Sequence, residues 1–315
     1  MRKHTMVAAA LALFCATAQA QKSAPPDNTA HKVQFVSAGK NVRLEVLDWG
    51  GDGPPLVFLA GFGNTAHAFD EFASHFTAKH HVYGVTRRGF GNSSKPPPTR
   101  ENYDPDRLGD DILAVVDALK LHKPVLAGHS IAGEELSSIG SRHADKVAGL
   151  IYLDAADYYA FSNPKSDILA PYAATMLRDL AQLPAVNPTQ ARKLVAEMQE
   201  SISGLQRGLR WYRQALVDQP DLPPQQLIEP QRLVQNAVVS TVRQYGRVNA
   251  PLLAFFAVPK DCKLNCAATM AQANFVAASN PGARIVRLPG ASHYIYQSNE
   301  ADVAREMNSF MDTLR

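Results

Sequence analysis

A single serine in a turn of small residues is the side chain of this sequence best suited to nucleophilic chemistry. Ser130 lies in the stretch GHSIA (residues 128–132), directly after the apolar run PVLA (residues 124–127). Small residues two positions before and after the serine permit a sharp turn from a strand into a helix, which exposes the hydroxyl above the sheet. A Ser/Gly turn without chemistry is the alternative. A lone serine is a weak nucleophile, so the chain must also supply a base.

His293 is the best-placed base among the ten histidines. It follows an apolar segment (residues 285–288) and precedes the last helical segment, which puts it at the same edge of a parallel sheet as the serine. The imidazole then needs a carboxylate that orients it. Asp261 and Asp154 each follow a predicted strand. We expect Asp261 to be the orienting acid, with Asp154 as the alternative.

Two backbone amides are expected to form an oxyanion hole. The amide of Ile131 lies at the start of the helix after Ser130, where unpaired N–H groups favour negative charge. The stretch LAGFGN (residues 59–64) follows another predicted strand, and its glycines permit a tight loop. The amide of Phe62 is therefore the expected second donor. The Gly-rich stretches lack the GxGxxG and P-loop patterns, and no H-E-x-x-H motif occurs. We expect no metal and no organic cofactor.

Short apolar segments that alternate with helical segments position these residues. Apolar residues recur at helical spacing in residues 103–121 and again from Val303 to Leu314. Short, continuously apolar strands are typical of a mostly parallel α/β sheet that is flanked by helices. The segments predicted as strands are residues 42–49, 55–60, 81–86, 124–128, 147–155, 250–258 and 283–290.

Residues 158–246 interrupt this alternation. The segment has a helical pattern, is rich in Gln, Arg and Pro, and contains no convincing buried strand. We interpret it as a helical cap inserted into a core domain of residues 33–157 and 247–315. Trp211, Tyr212, Tyr158 and Tyr159 are candidates to line a substrate pocket. Packing within the cap is an equally good interpretation of each.

The first twenty residues are typical of an export signal. A basic start (MRKH) precedes an apolar, Ala-rich run and the cleavage pattern Ala18-Gln19-Ala20. We expect a periplasmic or secreted protein whose residues 21–32 form a loose tail. The apolar run is too short to span a bilayer, and we expect no stable membrane span after its removal. In an oxidising compartment, Cys262 and Cys266 are expected to form a disulfide.

Composition narrows the classes of partner. The formal net charge is +3, charged residues make up 19% of the chain, and no basic stripe occurs, which argues against a nucleic-acid partner. With 315 residues, 46% of them hydrophobic, the chain can bury the core of one large domain or of a core with an insertion. The expected partner is a small-molecule acyl substrate. The oligomeric state is left open.

Taken together, the motifs resemble those of the α/β-hydrolase superfamily from about Val33 to Arg315. The resemblance implies an eight-stranded, mostly parallel sheet with a cap over the active site, and acyl-enzyme chemistry. Epoxide hydrolases and haloalkane dehalogenases of this superfamily use an aspartate nucleophile, whereas this chain has Ser130. The matching motifs are Gly61-Phe62-Gly63, RGFGNS (residues 88–93), GHSIAG (residues 128–133), Asp261 and GASH (residues 290–293).

The sequence therefore predicts an exported serine hydrolase that cleaves an ester or related acyl bond. An amidase or aminopeptidase, a lactonase and a carbon–carbon bond hydrolase remain alternatives, because all use the same triad. For an aminopeptidase, Glu134 and Glu135 are candidates to hold the substrate ammonium. A non-catalytic binding protein on the same fold is the alternative from another class, and the intact set of serine, histidine and acid argues against it.

Overall fold

The computed structural model describes residues 31–161, 163, 169–215, 230–239, 245–258, 260 and 266–314. The predicted export signal, Asp261 and Cys262 lie outside the described residues. Within the described part of the chain, no helix is both long enough and apolar enough to cross a bilayer.

Eight strands form one sheet in the order β1-β2-β4-β3-β5-β6-β7-β8. Strand β2 is antiparallel to β1 and β4, and all other pairs are parallel. The predicted eight-stranded, mostly parallel sheet is confirmed. The strands are β1 (Lys32–Ser37), β2 (Arg43–Gly50), β3 (Pro55–Leu59), β4 (His81–Val85), β5 (Val125–His129), β6 (Gly149–Leu153), β7 (Leu252–Val258) and β8 (Arg284–Pro289).

Strand β1 is a strand that the sequence pattern did not predict. It pairs on one side only, with β2, and most of its side chains are exposed. An edge strand of this kind needs no continuous apolar run, so its sequence KVQFVS carries little periodic signal. Strand β1 begins at Lys32, one residue before the expected core boundary at residue 33.

Helices cover the sheet, and three of the described helices lie between β6 and β7. The segment predicted at residues 103–121 forms α3, which starts later because Asp104 accepts a hydrogen bond from the Asp106 amide and Pro105 occupies the first turn. The described helices are α1 (Asp70–Ala73), α2 (Arg100–Tyr103), α3 (Pro105–Ala118), α4 (Gly133–Arg142), α5 (Leu169–Gln182), α6 (Pro188–Ala215), α7 (Pro230–Val239), α8 (Cys266–Ser279), α9 (Ile295–Ser298) and α10 (Glu300–Asp312). Helices α5, α6 and α7 lie within the predicted cap, whose boundaries stay a prediction.

The core consists of two apolar layers, one on each face of the sheet. Along β3, Val57 packs into one layer while its neighbours Leu56 and Phe58 pack into the other. The first layer includes side chains of α3 and α4, and the second includes Phe72 of α1 and Met307 of α10. Burial on both faces explains why central parallel strands such as β3 and β6 are continuously apolar, since neither set of alternate side chains meets water.

The start of α4 packs directly against the chain that follows β6. A Cβ atom at Gly133 would lie 1.9 Å from the carbonyl oxygen of Ala155 and 2.9 Å from Cβ of Ala160. Gly133 has ordinary helical dihedral angles, with φ −56° and ψ −27°. The position therefore requires glycine because of this close approach and not because of its backbone conformation.

Gly133→Ala should lower the free energy of unfolding by about 2–3 kcal/mol, because the added methyl group must displace backbone. Helix propensity alone would change stability in the opposite direction by about 1 kcal/mol. Urea denaturation measures the difference. The matched control is Gly246→Ala, since a Cβ there meets nothing within 4 Å. Equal stability of the two variants would contradict the packing argument.

Candidate active site

Ser130 occupies a strained turn between β5 and α4. Its φ is 53°, in the left-handed region, and it opens a short 3₁₀ turn, Ser130–Ala132, that leads into α4. A non-glycine residue in this conformation costs on the order of 1–3 kcal/mol, and it persists only where the surrounding structure holds it. A left-handed serine between a strand and a helix is the geometry of a nucleophile elbow.

Close contact between the two flanking small residues explains the local sequence. A Cβ atom at Gly128 would lie 3.0 Å from Cβ of Ala132 and 3.0 Å from Cδ1 of Leu136. Larger side chains at these positions would push β5 away from α4. The contact agrees with the reason that the sequence offers for small residues on both sides of Ser130.

His293 bridges Ser130 and a carboxylate. Its Nε2 lies 2.9 Å from Oγ of Ser130, and its Nδ1 lies 2.7 Å from Oδ2 of Asp154. A carboxylate only accepts hydrogen bonds, so we assign the proton to Nδ1, and Nε2 then accepts from the serine hydroxyl. The His293 side chain is 40% exposed. A small molecule can therefore reach the edge of the imidazole from solvent.

The acid beside His293 differs from the one that we favoured from sequence. Asp154 follows β6 with φ 48°, and its second oxygen, Oδ1, accepts a hydrogen bond of 2.8 Å from the amide of Ala257 in β7. Nδ1 of His293 thus faces Asp154, the alternative acid, and the favoured Asp261 lies outside the described residues. Both acids follow strands that end at the same sheet edge. The left-handed turn after β6, which no sequence pattern indicates, directs Asp154 towards the base.

His129 holds the backbone of the loop that carries the base. It is buried, and its Nε2 donates a hydrogen bond of 3.0 Å to the carbonyl oxygen of His293. The pKa of His129 is lowered to about 3, chiefly by burial and also by the nearby His293, while the hydrogen bond to the carbonyl opposes both. A neutral His129 adds no positive charge beside the base at physiological pH.

The loop after β3 begins in contact with the elbow. A Cβ at Gly61 would lie 2.5 Å from Nδ1 of His129 and 3.2 Å from Cβ of Ser130. The buried Arg87 fixes the start of this loop, because its Nη2 donates to the carbonyl oxygen of Ala60 (3.1 Å) and to Oε2 of Glu135 in α4 (3.0 Å). Sequence reasoning missed Arg87. Arg87 is one of two adjacent arginines in a Gly-rich stretch, and no sequence pattern indicates which loop its side chain contacts.

A tyrosine hydroxyl also meets the serine. Tyr159 is buried, and its phenol lies close enough to Ser130 for the two side chains to interact. Burial raises the pKa of the Tyr159 phenol well above its usual value, with Asp157 and Asp154 adding to the effect, so the hydroxyl stays protonated. The sequence indicated Tyr159 only as a possible pocket residue.

The other aromatic candidates lie in two places, Tyr158 in the chain after β6 and the remaining two in α6. Tyr158 is buried and packs edge-on against Tyr159, with ring centroids 5.2 Å apart. Trp211 and Tyr212 belong to α6, and their side chains lie outside the described part of the chain. Their proposed contact with substrate stays a prediction.

A cap helix approaches both Gly-rich loops. A Cβ at Gly63, next to Phe62, would lie 3.8 Å from Nε2 of Gln235 in α7, and one at Gly89 would lie 2.6 Å from Cγ1 of Val234. Gln235 therefore contributes a polar amide above the loop that follows β3. Helix α7 bounds the site on that side.

Asp157 places a second carboxyl group near the base. It is half-buried, and Oδ1 accepts a hydrogen bond of 2.8 Å from the amide of Tyr158. Burial raises its pKa to about 6. The Tyr158 hydrogen bond opposes this rise, Asp154 adds to it, and His293 opposes it. The charge beside His293 consequently changes close to neutral pH.

Asp157→Asn should abolish a pH-dependent loss of stability. The folded protein keeps this proton up to about pH 6, whereas the reference pKa is 3.8. Protonated Asp157 therefore contributes its full stability below about pH 3.8, and this stability is lost as the pH rises to about 6. The reason is that the folded state binds more protons than the unfolded state in that window. As the pH rises from about 4 to about 7, the free energy of unfolding of the variant should increase relative to that of wild type by up to about 2 kcal/mol.

Urea denaturation across this pH range measures the effect. The exposed Asp145, in the turn before β6, offers the matched control Asp145→Asn. A constant difference between wild type and Asp157→Asn at all pH values would show that Asp157 does not titrate in the proposed window.

Comparison with known proteins gives one family. The model of the alpha/beta hydrolase family matches residues 56–306. The chain is 33% identical to epoxide hydrolase A of Mycobacterium tuberculosis over 114 residues, which cover 36% of this chain and 35% of that protein. It is 34% identical to the AB hydrolase superfamily protein YisY of Bacillus subtilis over 125 residues, which cover 39% of this chain and 45% of that protein. The chain thus spans less than half the length of these relatives.

A solved structure supports the same fold over a longer stretch. The thermophilic esterase from Thermogutta terrifontis, with malate bound, superimposes with a TM-score of 0.58 at 17% identity, covering 90% of this chain and 99% of that one. At this identity the likeness establishes the fold alone. Because the family model matches most of the sequence and the eight-stranded sheet agrees with it, the chain belongs to the alpha/beta hydrolase family.

Proposed function

We propose that this protein is an exported serine hydrolase that cleaves an ester or a related acyl bond of a small molecule. The observation that carries the proposal is the chain of hydrogen bonds from Ser130 through His293 to Asp154, of 2.9 Å and 2.7 Å. A base within hydrogen-bond distance of a serine, and an acid that orients the base, are the arrangement that activates a hydroxyl for acyl transfer.

The reaction divides into acylation and deacylation. His293 takes the proton of Ser130 as Oγ attacks the acyl carbon, and Asp154 stabilises the imidazolium that forms. The amides of Phe62 and Ile131 hold the developing oxyanion. The imidazolium returns its proton to the leaving alcohol. A water molecule, deprotonated by His293, then releases the acid and restores Ser130.

The environment of the base favours this proton transfer. The neutral His129 supports the His293 loop without repelling an imidazolium, and Tyr159 supplies a protonated hydroxyl beside the reacting oxygen. Ionised Asp157 would further favour a positive His293 above about pH 6. We infer that Tyr159 helps to orient Oγ of Ser130 for attack.

The buried acids of α4 argue against an aminopeptidase. Glu135 is buried and pairs with Arg87. Glu134 is fully buried, and burial, together with the neighbouring Glu135, raises its pKa well above the usual range. A carboxylate engaged with arginine and a carboxyl held neutral are both poorly suited to bind a substrate ammonium.

The nucleophile argues against epoxide hydrolysis, the activity named for one relative. The family resemblance implies an aspartate nucleophile in epoxide hydrolases, whereas this elbow carries Ser130. The proposed export depends on the N-terminal signal pattern of the sequence. The proposed Cys262–Cys266 disulfide depends in turn on the oxidising compartment that export implies, and Cys266 is the first residue of α8.

Ser130→Ala should reduce hydrolysis of p-nitrophenyl acetate and butyrate by roughly 10⁴- to 10⁶-fold, because the nucleophile is lost. Labelling by a fluorophosphonate should vanish in parallel. The matched control is Ser203→Ala, which removes an exposed hydroxyl from α6. Labelling of wild-type Ser130 without ester turnover would favour an amide, a lactone or a carbon–carbon bond as substrate. Neither labelling nor turnover by folded protein would favour the non-catalytic alternative.

Paired variants distinguish the two acids. Asp154→Asn should lower kcat by roughly 10⁴-fold, because an amide facing Nδ1 of His293 favours the tautomer that cannot accept the serine proton. Asp261→Asn should leave kcat within about twofold of wild type, as expected for an acid that does not orient the base. Steady-state kinetics with the same esters measures both. The reverse result would return the role to Asp261.

A further inference from the structure

We propose that His31, His67 and Asp70 form a binding site for a divalent transition-metal ion, for which Zn²⁺ is the natural first probe. One potential ligand atom from each residue lies within 4.8 Å of the others. Two imidazoles and one carboxylate suit zinc, copper and nickel better than the oxygen-seeking calcium and magnesium. The elements that carry these residues differ from those that carry the triad.

The distances already approach those of a coordination sphere. Nδ1 of His67 lies 2.9 Å from Oδ2 of Asp70, and Nδ1 of His31 lies 3.5 Å from Oδ1. Bonds of about 2.0–2.2 Å in a tetrahedral zinc site put neighbouring ligand atoms roughly 3.3 Å apart. The two observed separations lie on either side of this value but end on different oxygens of Asp70, so the carboxylate would rotate to bring one oxygen and both imidazoles around an ion.

A further hydrogen bond orients the carboxylate. Nε1 of Trp49 donates to Oδ1 of Asp70 at 3.0 Å. The His31 ring packs edge-on against the rings of His67 and Trp49, with centroids 5.2 Å and 6.3 Å apart. Metal ligands commonly depend on such outer hydrogen bonds for their orientation. The Trp49 contact would hold the carboxylate in place before the ion arrives.

The exposure of the three side chains defines a route for the ion. The side chains of His31 and Asp70 are 6% and 15% exposed, whereas that of His67 is 33% exposed. An ion would therefore enter from the His67 side, where water could complete the coordination. A metal-free cluster of ion pairs is the alternative for the same three residues, and titration with ZnCl₂ separates the two cases.

The site would join distant parts of the chain. His31 directly precedes the edge strand β1, and Asp70 begins α1. His67 lies in the 3₁₀ turn Ala66–Phe69, after the loop that follows β3 and contains Phe62 (the Phe62 loop). Strand β1 has one neighbour in the sheet, so a bound ion would tether an edge that is otherwise held on one side. Binding to the folded state alone would raise the free energy of unfolding by RT ln(1 + c/Kd), where c is the concentration of free ion, and the melting temperature would rise with it.

Titration calorimetry of chelator-treated, purified protein with ZnCl₂ tests the proposal, with thermal melting as the second readout. Wild type should bind one equivalent and melt at a higher temperature with Zn²⁺. His67→Gln and His31→Gln should each weaken binding at least about tenfold, because a ligand is lost. The matched control is His81→Gln. His81 also pairs with an aspartate, Asp48, at 2.8 Å and is 36% exposed.

Unchanged binding in the control, with loss in His67→Gln, would support the site. Absence of stoichiometric binding in wild type would overturn the proposal. Equal weakening by His67→Gln and His81→Gln would also overturn it, since this would indicate scattered surface histidines. Melting curves without metal establish that each variant folds. If His67→Gln does not fold, His31→Gln decides between the outcomes.

Discussion

The left-handed backbone of Ser130 is the constraint on which the rest of the site depends. This conformation is unfavourable for a residue with a Cβ, so the fold must stabilise it from both sides. The close approach of Gly128 to Ala132 and of Gly133 to Ala155 brings β5, α4 and the chain after β6 together at one point. The same packing positions Asp154, because the chain that presses on Gly133 follows directly from that acid.

Around this turn, the protein keeps most ionisable groups neutral. Burial keeps His129 unprotonated and Tyr159 protonated, and it holds Asp157 near the point of titration. Asp154 instead receives hydrogen bonds at both oxygens, from Ala257 and from His293. The base is thus placed beside one hydrogen-bonded carboxylate, and Asp157 adds a second negative charge nearby above about pH 6.

Buried charge pairs hold the loops around the elbow. Arg87 joins the loop after β3 to α4 through Ala60 and Glu135, and Arg88 pairs with Asp111 of α3. Removing one member would leave an uncompensated buried charge, so these pairs define a single arrangement of the loops. Burying these charges costs desolvation free energy, which is consistent with a role of the pairs in fixing the geometry of the loops.

The sequence by itself determined the parallel strands, the elbow serine and the base, because buried strands, small flanking residues and a late loop histidine each leave a local pattern. Only the tertiary structure decided which acid meets His293, that Arg87 braces the Phe62 loop, that β1 extends the sheet, and that His31 meets His67 and Asp70. The physical reason is the same in each case. These contacts join residues far apart in the chain, and their geometry depends on turns and packing that neither periodicity nor spacing encodes.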